Sequence, residues 1–137
     1  VQGNLISLAG LTRLQLLSLD SCGEVEGNLS TLAPLTELQE LYMNDCSQLE
    51  GNLGTFEALA ELQVLQLADC SRVAGDVSSL SELLRLRVLS LIGCAEMEGD
   101  LQALSPLMEL RELWLQGCCQ VYGRVEQEGV DIYGYDN

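Results

Sequence analysis

Glycine stands at Gly3, Gly27, Gly51, Gly75, Gly99 and Gly123, and cysteine at Cys22, Cys46, Cys70, Cys94 and Cys118, so both return every 24 residues. Leucine keeps the same period. Leu14, Leu38, Leu62, Leu86 and Leu110 each open a phrase L-x-x-L-x-L-x-x-C, which runs on through Leu17, Leu41, Leu65, Leu89 and Leu113. Leu19, Met43, Leu67, Leu91 and Leu115 complete it. Five in-phase copies without an insertion mean that each unit folds alike, and that apolar side chains meet by stacking one unit on the next.

The apolar spacing changes within a unit, and that change assigns the local structure. Leu17-x-Leu19 alternates with period two, which sends both leucines to one face of a short strand. Leu32, Leu35 and Leu38 recur every three residues, which suits a short helix or 3₁₀ turn. Thr31, Thr55 and Ser79 are read as hydroxyl caps of that turn, and Pro34 and Pro106 as members of its first turn. Each unit is strand, turn and helical return. The chain has 137 residues, the size of one ordinary domain. Aromatics make up 4% against 47% apolar residues, so the stacked core is aliphatic.

L-x-x-L-x-L-x-x-C with a G-[N/D]-[L/V] corner resembles the leucine-rich repeat family over residues 1–125. The unit length and the corner Val25-Glu26-Gly27 look like the plant-specific class, and Cys22-Gly23-Glu24-Val25 is closer to the cysteine-containing class. The resemblance implies an α/β right-handed solenoid. A parallel sheet of short strands lies on its concave face, with short helices or 3₁₀ turns on the convex side. Five strand-bearing repeats are expected in 1–125, with a non-repeat tail or cap over 126–137, where Glu128 takes a leucine position. Val1-Gln2-Gly3-Asn4-Leu5 enters in mid-repeat without a cap or an initiating methionine. A removed leader and a piece of a longer chain both account for that start; no signal peptide is visible.

Recurring cysteines suggest metal or disulfides, and the spacing argues against both. Zinc wants four convergent thiolates or imidazoles; these cysteines are a whole repeat apart, and the chain has no histidine. Neighbouring coils bring Cα atoms within disulfide range, about 4.8 Å apart. In-phase Cβ atoms would stay near that distance rather than at the roughly 3.8 Å a disulfide prefers. The favoured reading is a structural ladder of buried thiols where the chain leaves the strand. Cys119 has no counterpart in other units and is expected to face outward. A second ladder, Asn4, Asn28, Asn52, Asp76 and Asp100, follows the corner glycines, where side-chain oxygens can bond turn amides. With Glu26, Glu50 and Glu98 it offers an acidic column, conceivable for calcium. No D-x-D-x-D-G loop accompanies it, and Ala74 breaks it.

The residues between the strand leucines are expected on the concave face, in rows read across the coils. Core positions are uniform, whereas these vary. Leu16, Glu40, Tyr42, Val64, Gln66, Val88, Ile92, Glu112 and Trp114 form the candidate protein-binding surface, with Trp114, the only tryptophan, as an exposed anchor. Net charge is −15, from 21 acids against six arginines and no lysine. That surface repels nucleic-acid phosphates and anionic headgroups, and it favours protein partners with basic patches. Without histidine, lysine, a phosphate loop or a metal cluster, the chain is read as non-catalytic and free of cofactors. The expected function is protein–protein interaction or scaffolding. The alternatives are a small accessory subunit of a larger, even organellar membrane, complex, and a fragment of a longer receptor-like protein. No apolar run is long enough to insert in a bilayer. Localisation stays unknown, with a lean from the unbridged thiols toward a reducing intracellular or organellar compartment.

Overall fold

The computed structural model describes residues 2–135; Val1, Asp136 and Asn137 lie outside the described residues, and with them the first residue of the uncapped start and the end of the tail. Each coil contributes one strand to each of two parallel sheets, and in all but the last a 3₁₀ turn lies between them. The concave sheet holds β2 (Leu16–Ser18), β4 (Glu40–Tyr42), β6 (Val64–Gln66), β8 (Val88–Ser90), β10 (Glu112–Trp114) and β12 (Asp131–Tyr133), in the order β12-β10-β8-β6-β4-β2. Pairing is in register, so Leu17, Leu41, Leu65, Leu89 and Leu113 form one inward row with Ile132 beyond them.

The second sheet was not anticipated from the apolar pattern. It comprises β1 (Gln2–Asn4), β3 (Glu24–Asn28), β5 (Leu49–Asn52), β7 (Arg72–Asp76), β9 (Met97–Asp100) and β11 (Gln120–Tyr122), paired in that order. Its strands contain the corner glycines. Gly27, Gly51, Gly75 and Gly99 have φ between 114° and 144°, a region that side chains avoid. The asparagine or aspartate after each corner glycine explains the rest. Asn28 Oδ1 accepts from Ser30 N–H at 2.9 Å and Asn52 Oδ1 from Gly54 N–H at 2.8 Å, and the same bond forms at Asn4, Asp76 and Asp100. Each cap also lies against the next coil's glycine. A Cβ on Gly75 would fall 2.9 Å from Asn52 Oδ1 and 3.0 Å from Leu53 N. Glycine and asparagine therefore recur together because one occupies the space the other leaves.

These caps correct the reading of Thr31, Thr55 and Ser79. The 3₁₀ turns η1 (Leu5–Leu8), η2 (Leu29–Leu32), η3 (Leu53–Ala58), η4 (Val77–Leu80) and η5 (Leu101–Leu104) begin directly after the Asn/Asp residues. The hydroxyl residues thus sit inside the turns, and a cap must precede them. Pro34 and Pro106 likewise fall past η2 and η5 rather than in their first turns. Ala33 N–H bonds Ser30 O and Leu35 N–H bonds Leu32 O, so Pro34 occupies the position between two donors, where its missing N–H costs nothing.

Between the sheets lies one aliphatic core. Leu29, Leu32, Leu35, Leu38 and their equivalents in the next three coils are fully buried, with Phe56 in a leucine position of the third coil. At the far end Gln127 closes the last coil: its Nε2 donates to Leu104 O and Leu107 O, both at 3.0 Å. Among the described residues no helix is long and apolar enough to cross a membrane.

Candidate functional site

The concave rows come from strand alternation: if Leu41 points in, Glu40 and Tyr42 point out. The first row is Leu16, Glu40, Val64, Val88, Glu112 and Asp131; the second is Ser18, Tyr42, Gln66, Ser90, Trp114 and Tyr133. Leu16, on the edge strand, is 51% exposed, whereas Glu40, Tyr42, Val64, Gln66, Val88, Ile92, Glu112 and Trp114 are half-buried.

Two strands carry the same acid–aromatic pair. On β4 the Tyr42 hydroxyl donates to Glu40 Oε1 at 2.6 Å, and on β10 the Trp114 indole Nε1 donates to Glu112 Oε1 at 3.2 Å. The bond to Glu40, with burial and the negative charges of Glu40 and Asp20, pushes the Tyr42 phenol up to about 12. Val64 and Val88 lie between the pairs, so the first row reads acid, valine, valine, acid across roughly 14 Å of sheet. Beside it a depression of about 300 Å³ is lined by Asn44, Gln66, Ala68, Ser90, Ile92, Glu112 and Trp114.

Trp114 is less free than expected. Tyr133 of β12 stacks on it, with ring centroids 3.9 Å apart and planes at 18°. Because Tyr133 and Ser90 flank Trp114 in register, the stack covers one indole face and leaves the other on the side of Ser90 and the depression. Asn44 is also committed locally: its Oδ1 accepts from Ala68 N–H at 2.9 Å and its Nδ2 donates to Gln66 Oε1 at 3.0 Å. Asp20 Oδ1 takes the amide of Asn44 in the same way. The stack of Tyr133 on Trp114 escaped the sequence reading. Tyr133 follows Trp114 by 19 residues instead of 24, and only the alternation of Asp131-Ile132-Tyr133 marks it as a strand.

The cysteine ladder lies on the opposite side of the leucine row. Cys46, Cys70, Cys94 and Cys118 are buried, and each thiol donates to a carbonyl of the preceding coil: Leu19 O, Met43 O, Leu67 O and Leu91 O, at 2.6–2.9 Å. Burial pushes the thiols up, Cys46 and Cys94 to about 11 and Cys70 and Cys118 to about 12. All six cysteines are free; Cys22, without a preceding coil's carbonyl among its partners, is half-buried, and Cys119 is exposed. A third cluster gathers arginines of two neighbouring coils. Arg85, Arg87 and Arg111 line a depression of about 540 Å³ with Gln63 and Glu109, at the edge where β8 and β10 begin. Arg85 pairs with Glu61 at 2.5 Å, the one ion pair among the described residues.

Two solved structures share this architecture. The leucine-rich-repeat ectodomain of the receptor kinase SOBIR1 from Arabidopsis thaliana superposes with a TM-score of 0.68 at 17% identity, covering 88% of this chain and 65% of that one. The chain has the leucine-rich-repeat fold. Internalin C2 of Listeria monocytogenes superposes with a TM-score of 0.60 at 20% identity, covering 90% of this chain and 49% of its own length. This repeat solenoid therefore spans about half to two thirds of those chains. No protein-family model matches the sequence, and no curated protein matches it.

Proposed function

We propose that this leucine-rich-repeat solenoid is a non-catalytic protein-interaction module that binds through its concave sheet. The observation that carries the reading is the row Glu40, Val64, Val88, Glu112 with Tyr42 and Trp114 beside it. Half-buried apolar and aromatic side chains with hydrogen-bonded carboxylates form a continuous surface there, next to a depression of about 300 Å³. Aromatic anchors over an apolar floor are typical of residues that dominate interface energetics. The shared fold of a receptor-kinase ectodomain supports the same use. Net charge of −15 favours partners with basic patches.

The test is capture of binding proteins on the immobilised chain, with Trp114→Ala and Val88→Glu as parallel baits. Proteins retained by the wild-type chain and lost from both variants, with circular dichroism unchanged, are the expected result. Identical capture by all three baits removes the concave face from the function.

A second reading, a subunit within a larger protein assembly, is favoured by the first coil. Ile6, Leu11 and Leu16 are 70%, 49% and 51% exposed there, beside the edge of β2. Substitution of Ile6 and Leu11 by Ser tests it, since a subunit docked by that coil loses its co-purifying proteins while one docked by the sheet keeps them.

A further inference from the structure

We infer that the concave sheet recognises an extended segment with the pattern basic, any, apolar, any, basic, laid across the strands along the solenoid axis. This inference rests on the concave-face reading and goes beyond it by fixing the partner's chemistry and spacing.

Three observations carry it. First, the acid–aromatic pairs Glu40–Tyr42 and Glu112–Trp114 stand three coils apart on the same rows, with only Val64 and Val88 between the acids. Each carboxylate uses Oε1 on its aromatic neighbour. A carboxylate accepts several hydrogen bonds, so capacity remains for an incoming guanidinium or ammonium. The same cation meets an aromatic ring beside it, the arrangement that suits arginine best.

Second, no ion pair among the described residues neutralises these acids. The one ion pair among the described residues joins Arg85 to Glu61, away from both. Asp20 adds negative charge near Tyr42, and Asp131 pairs in register with Glu112. Charge complementarity therefore selects a basic occupant at each end and an uncharged one over the valines.

Third, the lengths agree. Coils repeat about every 4.8 Å, so the two acids lie roughly 14 Å apart, and an extended chain covers about 13 Å in four residues. Side chains i, i+2 and i+4 share one face of such a segment. The outer two reach the acid–aromatic pairs, and the middle one lands on Val64 and Val88. Arg87 and Arg111 stand at the edge where β8 and β10 begin and repel a basic segment there. Glu40, Val64, Val88 and Glu112 open their strands, so the segment lies on that row. Its side chains lean away from these arginines, toward Tyr42, Trp114 and the depression lined by Ala68 and Ile92, which receives the aliphatic stem of one basic side chain.

Trp114 is the sole tryptophan, so its fluorescence reports occupancy directly. The probe is a synthetic peptide with the core Arg-Ser-Leu-Ser-Arg in Gly-Ser flanks, titrated into the intact chain at about 0.15 M salt. It is expected to change Trp114 emission saturably. The same composition respaced as Arg-Ser-Leu-Arg-Ser, or with Leu replaced by Ser, should bind at least about fivefold more weakly. The Glu40→Gln/Glu112→Gln variant should lose at least about tenfold, in line with removal of close charge pairs. A Glu26→Gln/Glu50→Gln variant removes the same charge on the second sheet, where both side chains are exposed, and should bind as wild type. Equal binding of both spacings, equal losses in the two charge variants, or no binding of any peptide overturns the inference. If the peptides fail while Trp114→Ala and Val88→Glu still release a captured protein, the concave-face reading stands and only the basic–apolar–basic pattern falls.

Discussion

Trp114 and Tyr133 stack at 3.9 Å although 19 residues separate them, whereas the pairings among β2, β4, β6, β8 and β10 all span 24. The stack ties β12 to the last full coil, alongside backbone pairing of Glu112–Trp114 with Asp131–Tyr133. Tyr133→Ala is expected to cost about 1 kcal/mol for the lost ring pair, lowering Tm by roughly 4 °C for a chain of this length. Trp114 emission should shift to the red as its covered face meets water. Tyr133→Phe keeps the ring and should leave both readouts in place. An unchanged emission maximum in Tyr133→Ala would show that the stack does not form in solution.

The second relationship joins Asn52 to Gly75. The Asn52 side chain caps η3 through Gly54 N–H and fills the space a Cβ on Gly75 would need. Asn52→Ala should cost about 1 kcal/mol, the usual loss of a cap. Gly75→Ala adds a strained φ of +135° and contacts at 2.9 Å and 3.0 Å, and should cost about 3 kcal/mol. In the double variant one contact disappears, but the backbone strain and the approach to Leu53 N persist. The loss should therefore fall below the sum of the single losses by about 1 kcal/mol. Urea denaturation of the four proteins measures it. Simple additivity would mean that cap and glycine act independently.

Thiol accessibility separates the cysteines. Cys119 is exposed, Cys22 is half-buried, and Cys46, Cys70, Cys94 and Cys118 are buried with donated S–H bonds. Under native conditions a thiol reagent should modify Cys119 at once and Cys22 more slowly. The other four should react only on unfolding, because reactivity needs both exposure and the thiolate. Cys119→Ser removes the fast phase. A fast phase of five thiols is incompatible with the buried ladder.

What the sequence revealed follows from which contacts are periodic. Leu17, Leu41 and Leu65 occupy identical surroundings one coil apart, so the core, the concave strands and the row containing Glu40 and Val64 could be read from spacing. The second sheet hid behind its glycines: Val25-Glu26-Gly27 offers one buried side chain in a strand of alternate residues, too little to signal a strand. Thr31 misled because hydroxyls cap helices often, whereas here Asn28 stands where the turn starts. The acid–aromatic bonds were beyond reach for another reason. Glu40 and Tyr42 are visible as neighbours on one face, but side-chain torsions decide whether they bond. The arginine cluster escaped because Arg85, Arg87 and Arg111 sit at two repeat phases, and only stacking brings them to one edge.

The ladder thiols also set a pH limit on stability. An unperturbed thiol titrates near 9.0, whereas burial holds Cys46 and Cys94 at about 11 and Cys70 and Cys118 at about 12 in the folded chain. Between those values the unfolded chain has released protons that the folded chain keeps. Fewer protons are bound on unfolding, so stability falls as pH rises. The contribution is fully present below about pH 9 and is lost as pH rises through about 11 to 12. Up to four thiols take part, and Tyr42, raised from 10.0 to about 12, adds a fifth group in the upper part of the window. Thermal unfolding under reducing conditions, scanned upward from pH 7, should therefore show a flat Tm to about pH 9 and a steepening fall beyond it. Cys70→Ala removes one of these protons and should make the fall shallower even though the variant starts from a lower Tm. An equally steep fall in Cys70→Ala would mean that its thiol already ionises in the folded state at its ordinary pH, contrary to a buried rung.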